Sequence, residues 1–293
     1  MQSVRRLAVI GVGLIGGSCA LALKRAGVVG TVVGVGRGES NLRRARDLGV
    51  VDEIATDVAT GVDGADVVLV ATPVGQMPRI FDVLREATSP EAVITDGGST
   101  KQDVVTAARA SLGARLSRFV PAHPIAGAER SGAEAARADL FVRRHVVLTP
   151  LPETASDAEA RVAALWSSCG AKVSSLTPEA HDGVFAAVSH LPHALAYALV
   201  QMIAERPDAG TLFGFAAGGF RDFTRIASSS PEMWRDICLA NREPLLAELD
   251  AYQDMLARLR VLLDRADSDG LERLFTSARD ARDAWLRSME APQ

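Results

Sequence analysis

Cysteine is scarce in this 293-residue sequence, where Cys19, Cys169 and Cys238 are the only three and no two stand in a C-x-x-C arrangement. That excludes a disulfide framework and a thiolate zinc site, and suits a reducing cytoplasm. Basic excess is missing too. Lys and Arg total 32 against 36 Asp and Glu, a net charge of −4, whereas a partner rich in phosphates, such as nucleic acid, calls for a basic surface. Lysine is confined to Lys24, Lys101 and Lys172, so one arginine among so many is weak evidence of a site. An uninterrupted apolar run is also lacking. Arg5 and Arg6 precede an uncharged stretch from Leu7 to Leu23, but Gly11, Gly13, Gly16 and Gly17 interrupt it. Glycine is costly in the helix that a signal or membrane segment must form. Hydrophobic residues make up 48% and charged residues 23%, ordinary for a soluble globular protein of one large or two medium domains, and no membrane partner is expected.

What is present divides the chain in two. Strand-like runs at Leu7 to Ile10, Thr31 to Val35, Val67 to Ala71, Ala92 to Thr95, Phe119 to Ala122, Val146 to Leu148 and Lys172 to Ser174 fill the first part. Amphipathic stretches such as Leu14 to Ala26, Asn41 to Leu48 and Met77 to Ala87 separate them. Apolar strands alternating with helices predict an α/β fold, an N-terminal Rossmann-type doubly wound sheet. From Thr177-Pro178 onward helical patterns take over, which predicts a dinucleotide-binding domain at 1–176 and an all-α C-terminal domain at 177–293. There Leu245, Leu249, Tyr252, Leu256, Leu259 and Leu263 recur at steps of four and three, a seam for another long helix. The helix of its own fold and that of a second copy suit the seam equally.

Gly11-Val12-Gly13-Leu14-Ile15-Gly16 follows the first strand and opens a helix, the context a dinucleotide fingerprint requires. Gly11 permits the turn, Gly13 the approach of a pyrophosphate, and Gly16 close helix–strand packing, while N–H groups at Leu14 and Ile15 begin the phosphate-attracting helix. The second strand ends in Val35-Gly36-Arg37-Gly38-Glu39-Ser40, without the acid that grips an NAD ribose at the strand tip. Arg37 with Ser40, helped by Arg43 or Arg44, suits a 2′-phosphate instead, which favours NADP over NAD. Thr72-Pro73, after the third strand, should border the same cofactor.

Two further strand ends carry the chemistry. Asp96-Gly97-Gly98-Ser99-Thr100-Lys101 and His123-Pro124-Ile125-Ala126-Gly127 are expected in one crevice. There a neutral His123 accepts the proton of a substrate hydroxyl and Ser99 orients its ring. His190 and His193 share one face of a helix running from Pro178 to Ala204 and bent at Pro192. No third ligand accompanies them, so no metal is expected. Arg221, Asp222 and Arg225 follow the glycine pair Gly218-Gly219 and suit a carboxylate clamp, with Trp234 as a wall. The plain alternative is a turn with a solvated ion pair. His145 and His181 read as surface or capping residues.

Together, GVGLIGGS at 11 to 18, ATPVGQMP at 71 to 78, DGGSTK at 96 to 101, HPIAGAERSG at 123 to 132, SHLPH at 189 to 193 and GGFRDFTRIASSSPEMW at 218 to 234 resemble the prephenate/arogenate dehydrogenases of tyrosine biosynthesis. The resemblance spans both domains in order, and only its first block is generic to dinucleotide binders. It implies oxidative decarboxylation of a small anionic cyclohexadienyl substrate: hydride passes to NAD(P), carbon dioxide leaves and the ring becomes aromatic. It further implies that His123 accepts the hydroxyl hydrogen bond, that Ser99 is its partner, and that Arg225, His193 and His190 bind substrate. Trp234 would line the site, and Glu129 and Asp222 would stand at its entrance. Dimerisation through the helical domain is implied as well. This length leaves no room for the ACT or chorismate mutase domain fused in some relatives, so that tyrosine, if it inhibits, is expected to compete at the active site.

Two rivals share part of this pattern. A β-hydroxyacid dehydrogenase or imine reductase has a similar layout, but such hydroxyacid enzymes rely on a lysine in the helical domain, and none follows Lys172. A non-catalytic NAD(P)-sensing protein would need the fingerprint but not Ser99, His123 and Arg225.

Overall fold

Strands without a polar face must be covered on both sides, and the chain meets that demand with a parallel sheet between helices. A computed structural model describes residues 4–127 and 132–290. Strands β1 (Val4–Ile10), β2 (Val29–Val35), β3 (Glu53–Ala55), β4 (Val67–Val70), β5 (Val93–Asp96) and β6 (Phe119–Val120) pair in parallel in the order β3-β2-β1-β4-β5-β6. Alternate residues of β1 enter opposite cores. Leu7 and Val9 pack with Cys19, Leu23 and Trp166, whereas Ala8 and Ile10 pack with Met77, Phe81 and Val104. Helices α1 (Leu14–Arg25), α2 (Glu39–Asp47), α3 (Val58–Val62), α4 (Met77–Ala87) and α5 (Gln102–Ser111) connect the strands.

Three details depart from the sequence expectation. Strand β3 is a short edge strand, too polar at Glu53 to stand out as an apolar run. The run from Phe119 to Ala122 is broken at Pro121, which lacks the N–H a ladder needs. Beyond it β7 (Ala122–Pro124) leaves the first sheet and pairs antiparallel with β8 (His145–Leu148), itself parallel to β9 (Lys172–Ser175). The last expected strands therefore form a separate three-stranded sheet, with α6 (Ser156–Ser168) between β8 and β9 in the chain.

Thr177 caps α7 (Pro178–Phe185), accepting from the Ala180 N–H, and Pro178 occupies the first turn, where a missing N–H costs nothing. The predicted single helix to Ala204 is interrupted earlier than Pro192. Ala186–His190 form a π turn in which the Leu191 N–H reaches the Ala186 carbonyl five residues back, and α8 (Leu191–Ala204) follows. Helices α9 (Ala209–Gly214), α10 (Gly218–Thr224), α11 (Pro231–Ala240), α12 (Arg242–Asp264) and α13 (Ser268–Glu290) complete the described chain.

Contacts divide the chain into a unit up to Leu245 and a second from Leu246 onward. Helices α7 to α11 thus belong with the sheets, and the Asp182 carboxylate of α7 accepts the first backbone N–H groups of α5. The second unit contains most of α12 and all of α13. Within it Leu256, Leu263, Phe275 and Trp285 are exposed.

Candidate active site

The fingerprint turn lies at the boundary between β1 and β4, where the chain changes direction across the sheet. Gly11 has φ +97°, and a Cβ there would stand 2.6 Å from the Ala71 carbonyl oxygen. A Cβ at Gly16 would lie 2.3 Å from the Gly11 carbonyl oxygen and 2.7 Å from Val9 Cγ1, so α1 sits directly on β1. Gly13 faces open space instead. Beside this turn the buried Thr72 Oγ1 lacks a hydrogen-bond partner among the described residues, and Pro73 is exposed. Open backbone at a helix start, an unpartnered hydroxyl and the carboxyl ends of parallel strands fit a dinucleotide. Leu14 and Ile15 are half-buried at the start of α1. At the β2 end Arg37 and Ser40 are exposed, whereas Arg43 pairs with Glu39 at 2.6 Å and Arg44 with Glu134 at 2.8 Å.

The fingerprint, the glycine-rich loop and the His123 strand converge. A Cβ at Gly97 would stand 3.2 Å from Ile15 Cγ2 and 3.8 Å from Pro124 Cγ. Behind that contact the fully buried Lys101 ammonium pairs with the buried Asp96 carboxylate, whose other oxygen accepts the Ala122 N–H at 3.1 Å. This ion pair fixes the start of β7, and with it the backbone of His123.

The His123 ring is held by a residue that the sequence did not single out. Its Nδ1 lies 2.8 Å from His181 Nε2, and His181 Nδ1 lies 2.8 Å from Asp182 Oδ1. His181 is fully buried, which corrects its reading as a surface or capping residue; His145 is exposed as expected. Ser99 is half-buried on the neighbouring loop and makes no hydrogen bond to His123 among the described residues, so the expected orienting contact is replaced by the one from His181. Phe185 packs on both imidazoles, at centroid distances of 4.8 Å and 4.5 Å. Enclosure by protein pushes the His123 pKa well below its usual range, and His181, Lys101 and His190 add to the effect. Burial also opposes the charged form of Asp182, but bonds from His181, Gln102 and Lys101 outweigh it and hold the carboxyl below its ordinary pKa.

A second cluster adjoins the first. The Asn241 amide donates to the Asp182 carbonyl at 2.8 Å and lies 3.0 Å from His190 Nδ1, while His190 Nε2 and Trp234 Nε1 are buried without hydrogen-bond partners among the described residues. Burial lowers the His190 pKa to about 4. His193 stacks on Trp234 at 3.6 Å, and its Nδ1 contacts the Ser189 carbonyl at 2.8 Å. Burial lowers its pKa, and the nearby Arg225 charge lowers it further. Arg225 and Asp222 are exposed, and Asp222 lies 3.6 Å from Arg221 Nε, the solvated ion pair of the plain reading. Glu129 falls outside the described residues.

A sheet in this order, a phosphate-accepting helix start and a neutral imidazole at neighbouring strand ends define a dinucleotide-dependent dehydrogenase. Residues 19–175 match the family model for the prephenate dehydrogenase nucleotide-binding domain, and residues 177–277 match that for the prephenate dehydrogenase dimerization domain. The chain belongs to the prephenate dehydrogenase family. It is 39% identical over 275 residues to prephenate dehydrogenase of Bacillus subtilis, covering 93% of this chain and 74% of that protein. With cyclohexadienyl dehydrogenase of Zymomonas mobilis it shares 36% over 284 residues, 96% of each chain. Among solved structures, prephenate dehydrogenase of Aquifex aeolicus in complex with hydroxyphenyl propionate and NAD+ superposes with a TM-score of 0.89 at 36% identity, covering 96% of this chain and 99% of that one.

Proposed function

We propose that this enzyme oxidatively decarboxylates prephenate to 4-hydroxyphenylpyruvate, arogenate to tyrosine, or both, with NADP preferred over NAD. The supporting observation is the neutral His123 imidazole at the strand ends beside the fingerprint turn, with Arg225, His193 and Trp234 grouped nearby. The nicotinamide, when bound, supplies the hydride acceptor. His123 accepts the hydrogen bond of the ring C4 hydroxyl and stabilises the positive charge that develops as hydride leaves that carbon. The C1–carboxylate bond then breaks, its electron pair enters the ring, and the hydroxyl keeps its hydrogen in the phenol. Aromatisation drives the reaction, so the protein chiefly supplies alignment and a hydroxyl acceptor. Ser99, on the loop after β5, is assigned to the same hydroxyl. Glu129 and Asp222 are assigned to the entrance, and His190 to the substrate side. Arg37 supports the choice of NADP, being exposed at a strand tip without an acid. The working form is a homodimer through the helical domain, in the cytoplasm, where its dinucleotide is available.

A purified-protein assay crossing prephenate and arogenate with NADP and NAD tests this reading. Reduced-cofactor absorbance should rise with at least one of the two substrates and stay flat with 3-hydroxy acids. His123→Asn should lower kcat by about 10²- to 10⁴-fold while KM changes little. Turnover of 3-hydroxy acids, or a fully active His123→Asn enzyme, would reject it.

A further inference from the structure

His181 and Asp182 are fully buried polar neighbours of His123, and their bonds have a direction. A carboxylate only accepts, so His181 must donate through Nδ1–H to Asp182 Oδ1. Neutral His181 then presents a lone pair on Nε2. The His123 Nδ1, 2.8 Å away, must carry the hydrogen that meets it. One nitrogen of His123 remains, Nε2, and it is left with a lone pair.

We propose that His181 and Asp182 are positioning residues that hold His123 in the Nδ1–H tautomer and so keep Nε2 available to the substrate hydroxyl. The inference rests on the reading of His123 given above and extends it to the groups behind the ring. Asp182 is suited to anchor such a relay because its carboxylate cannot turn. Oδ1 accepts the Lys101 N–H and Oδ2 the Gln102 N–H, each at 2.8 Å, and these groups form the positive start of α5. Asn241 holds the Asp182 carbonyl, and Phe185 covers both rings. The logic is that of a triad, in which a buried carboxylate selects the tautomer of the base.

Charge makes the relay visible in a pH profile. Among the described residues, the titratable groups facing His123 are His181 from α7, Lys101 from the loop after β5 and His190 from the π turn, and Asp182 and Asp96 face His181. Asp182 is the anion joined to His123 through the relay, so it favours proton uptake by His123. Removing its charge must lower the proton affinity of His123, and the acidic limb of kcat must move to lower pH.

The test uses the full-length enzyme with prephenate and its preferred dinucleotide. His181→Phe removes the acceptor, whereas His181→Gln can place an amide oxygen where Nε2 stood. His181→Phe is expected to lose kcat by about 10²-fold with KM retained, and His181→Gln to stay within about tenfold of the parent. Asp182→Asn should lose kcat with its acidic limb displaced downward by about half a unit or more. Equal kcat in the Phe and Gln variants, or an acidic limb that stays in place in Asp182→Asn, would overturn the relay. Where His181→Phe fails to bind the dinucleotide, the Asp182→Asn limb decides alone. His123→Asn, assayed in parallel, separates the two readings: if it is active, His123 is not the base, and if it is inactive while His181→Phe is fully active, only the relay falls.

Discussion

Placed at the substrate carboxylate, as proposed, Arg225 sets up a conflict that a role in binding resolves. A guanidinium gripping the departing carboxylate would stabilise the substrate more than the transition state, because the charge it holds disappears as carbon dioxide forms. It also lies close enough to His193 to oppose protonation there. Arg225→Ala should therefore raise KM by about 10- to 100-fold, the loss of one charge-assisted interaction of about 1.5–3 kcal/mol. Steady-state kinetics should find kcat within about threefold of the parent. A kcat loss exceeding the rise in KM would mean that Arg225 acts on the transition state. Single residues were unevenly legible. His123 stood out because a histidine follows a strand at the crevice edge. His181 did not, because His123 lies far away in the chain and the contact depends on how α7 docks against β7. The available signal was a His-Asp pair inside an apolar helical run, since titratable groups there need buried partners. Asp96 and Lys101 were equally hidden, because spacing alone does not reveal that both side chains are fully buried.

At the scale of elements, the start of the first helix carries two glycines with different duties, Gly13 at its cap and Gly16 in its first turn. Gly16→Ala places a methyl against the Gly11 carbonyl and Val9, both close neighbours in the packed sheet, so α1 must lift from β1. Overpacking of this kind costs about 1–3 kcal/mol. Gly13→Ala meets no atom of the described residues within 4 Å, and its methyl would point where the fingerprint places a pyrophosphate. Denaturant titration should find Gly16→Ala less stable and Gly13→Ala near the parent, while dinucleotide titration should find both weakened. If Gly13→Ala binds the dinucleotide at parental affinity, the phosphates do not lie over that turn. The strands and α1, α2 and α4 were readable to within a few residues because burial imposes its period directly. The second sheet was not, since which strands pair is a matter of register and of the break at Pro121. Likewise, Pro192 pointed to a bend, but the π turn that accommodates the missing N–H lies just before it, at Ala186–His190.

At the scale of the molecule, apolar surface remains to be covered. By length and composition Pro178–Ala204 could cross a bilayer, with a mean hydropathy of 1.4, yet its His181, Asp182 and His190 are turned into the protein. Val188 and Met202 of the same stretch are 67% and 56% exposed. In the unit after Leu245, Leu256 is 46% and Leu263 60% exposed along the seam of α12. Leu245, the first residue of that seam, is buried in the other unit, so the seam outlasts the core it starts from. A second copy of the chain is the occupant we assign to the rest, because residues 177–277 match a dimerization domain and a symmetric pair presents the same apolar stripe to itself. Light scattering should then give a mass of twice 30.9 kDa. Paired substitutions Leu256→Asp and Leu263→Asp should shift that mass toward the monomer, because two carboxylates per copy would have to be buried in the seam. The site residues lie in the unit before Leu246, so cofactor binding by the resulting monomer should persist. A dimer of undiminished stability in the double variant would place the interface elsewhere than on this seam.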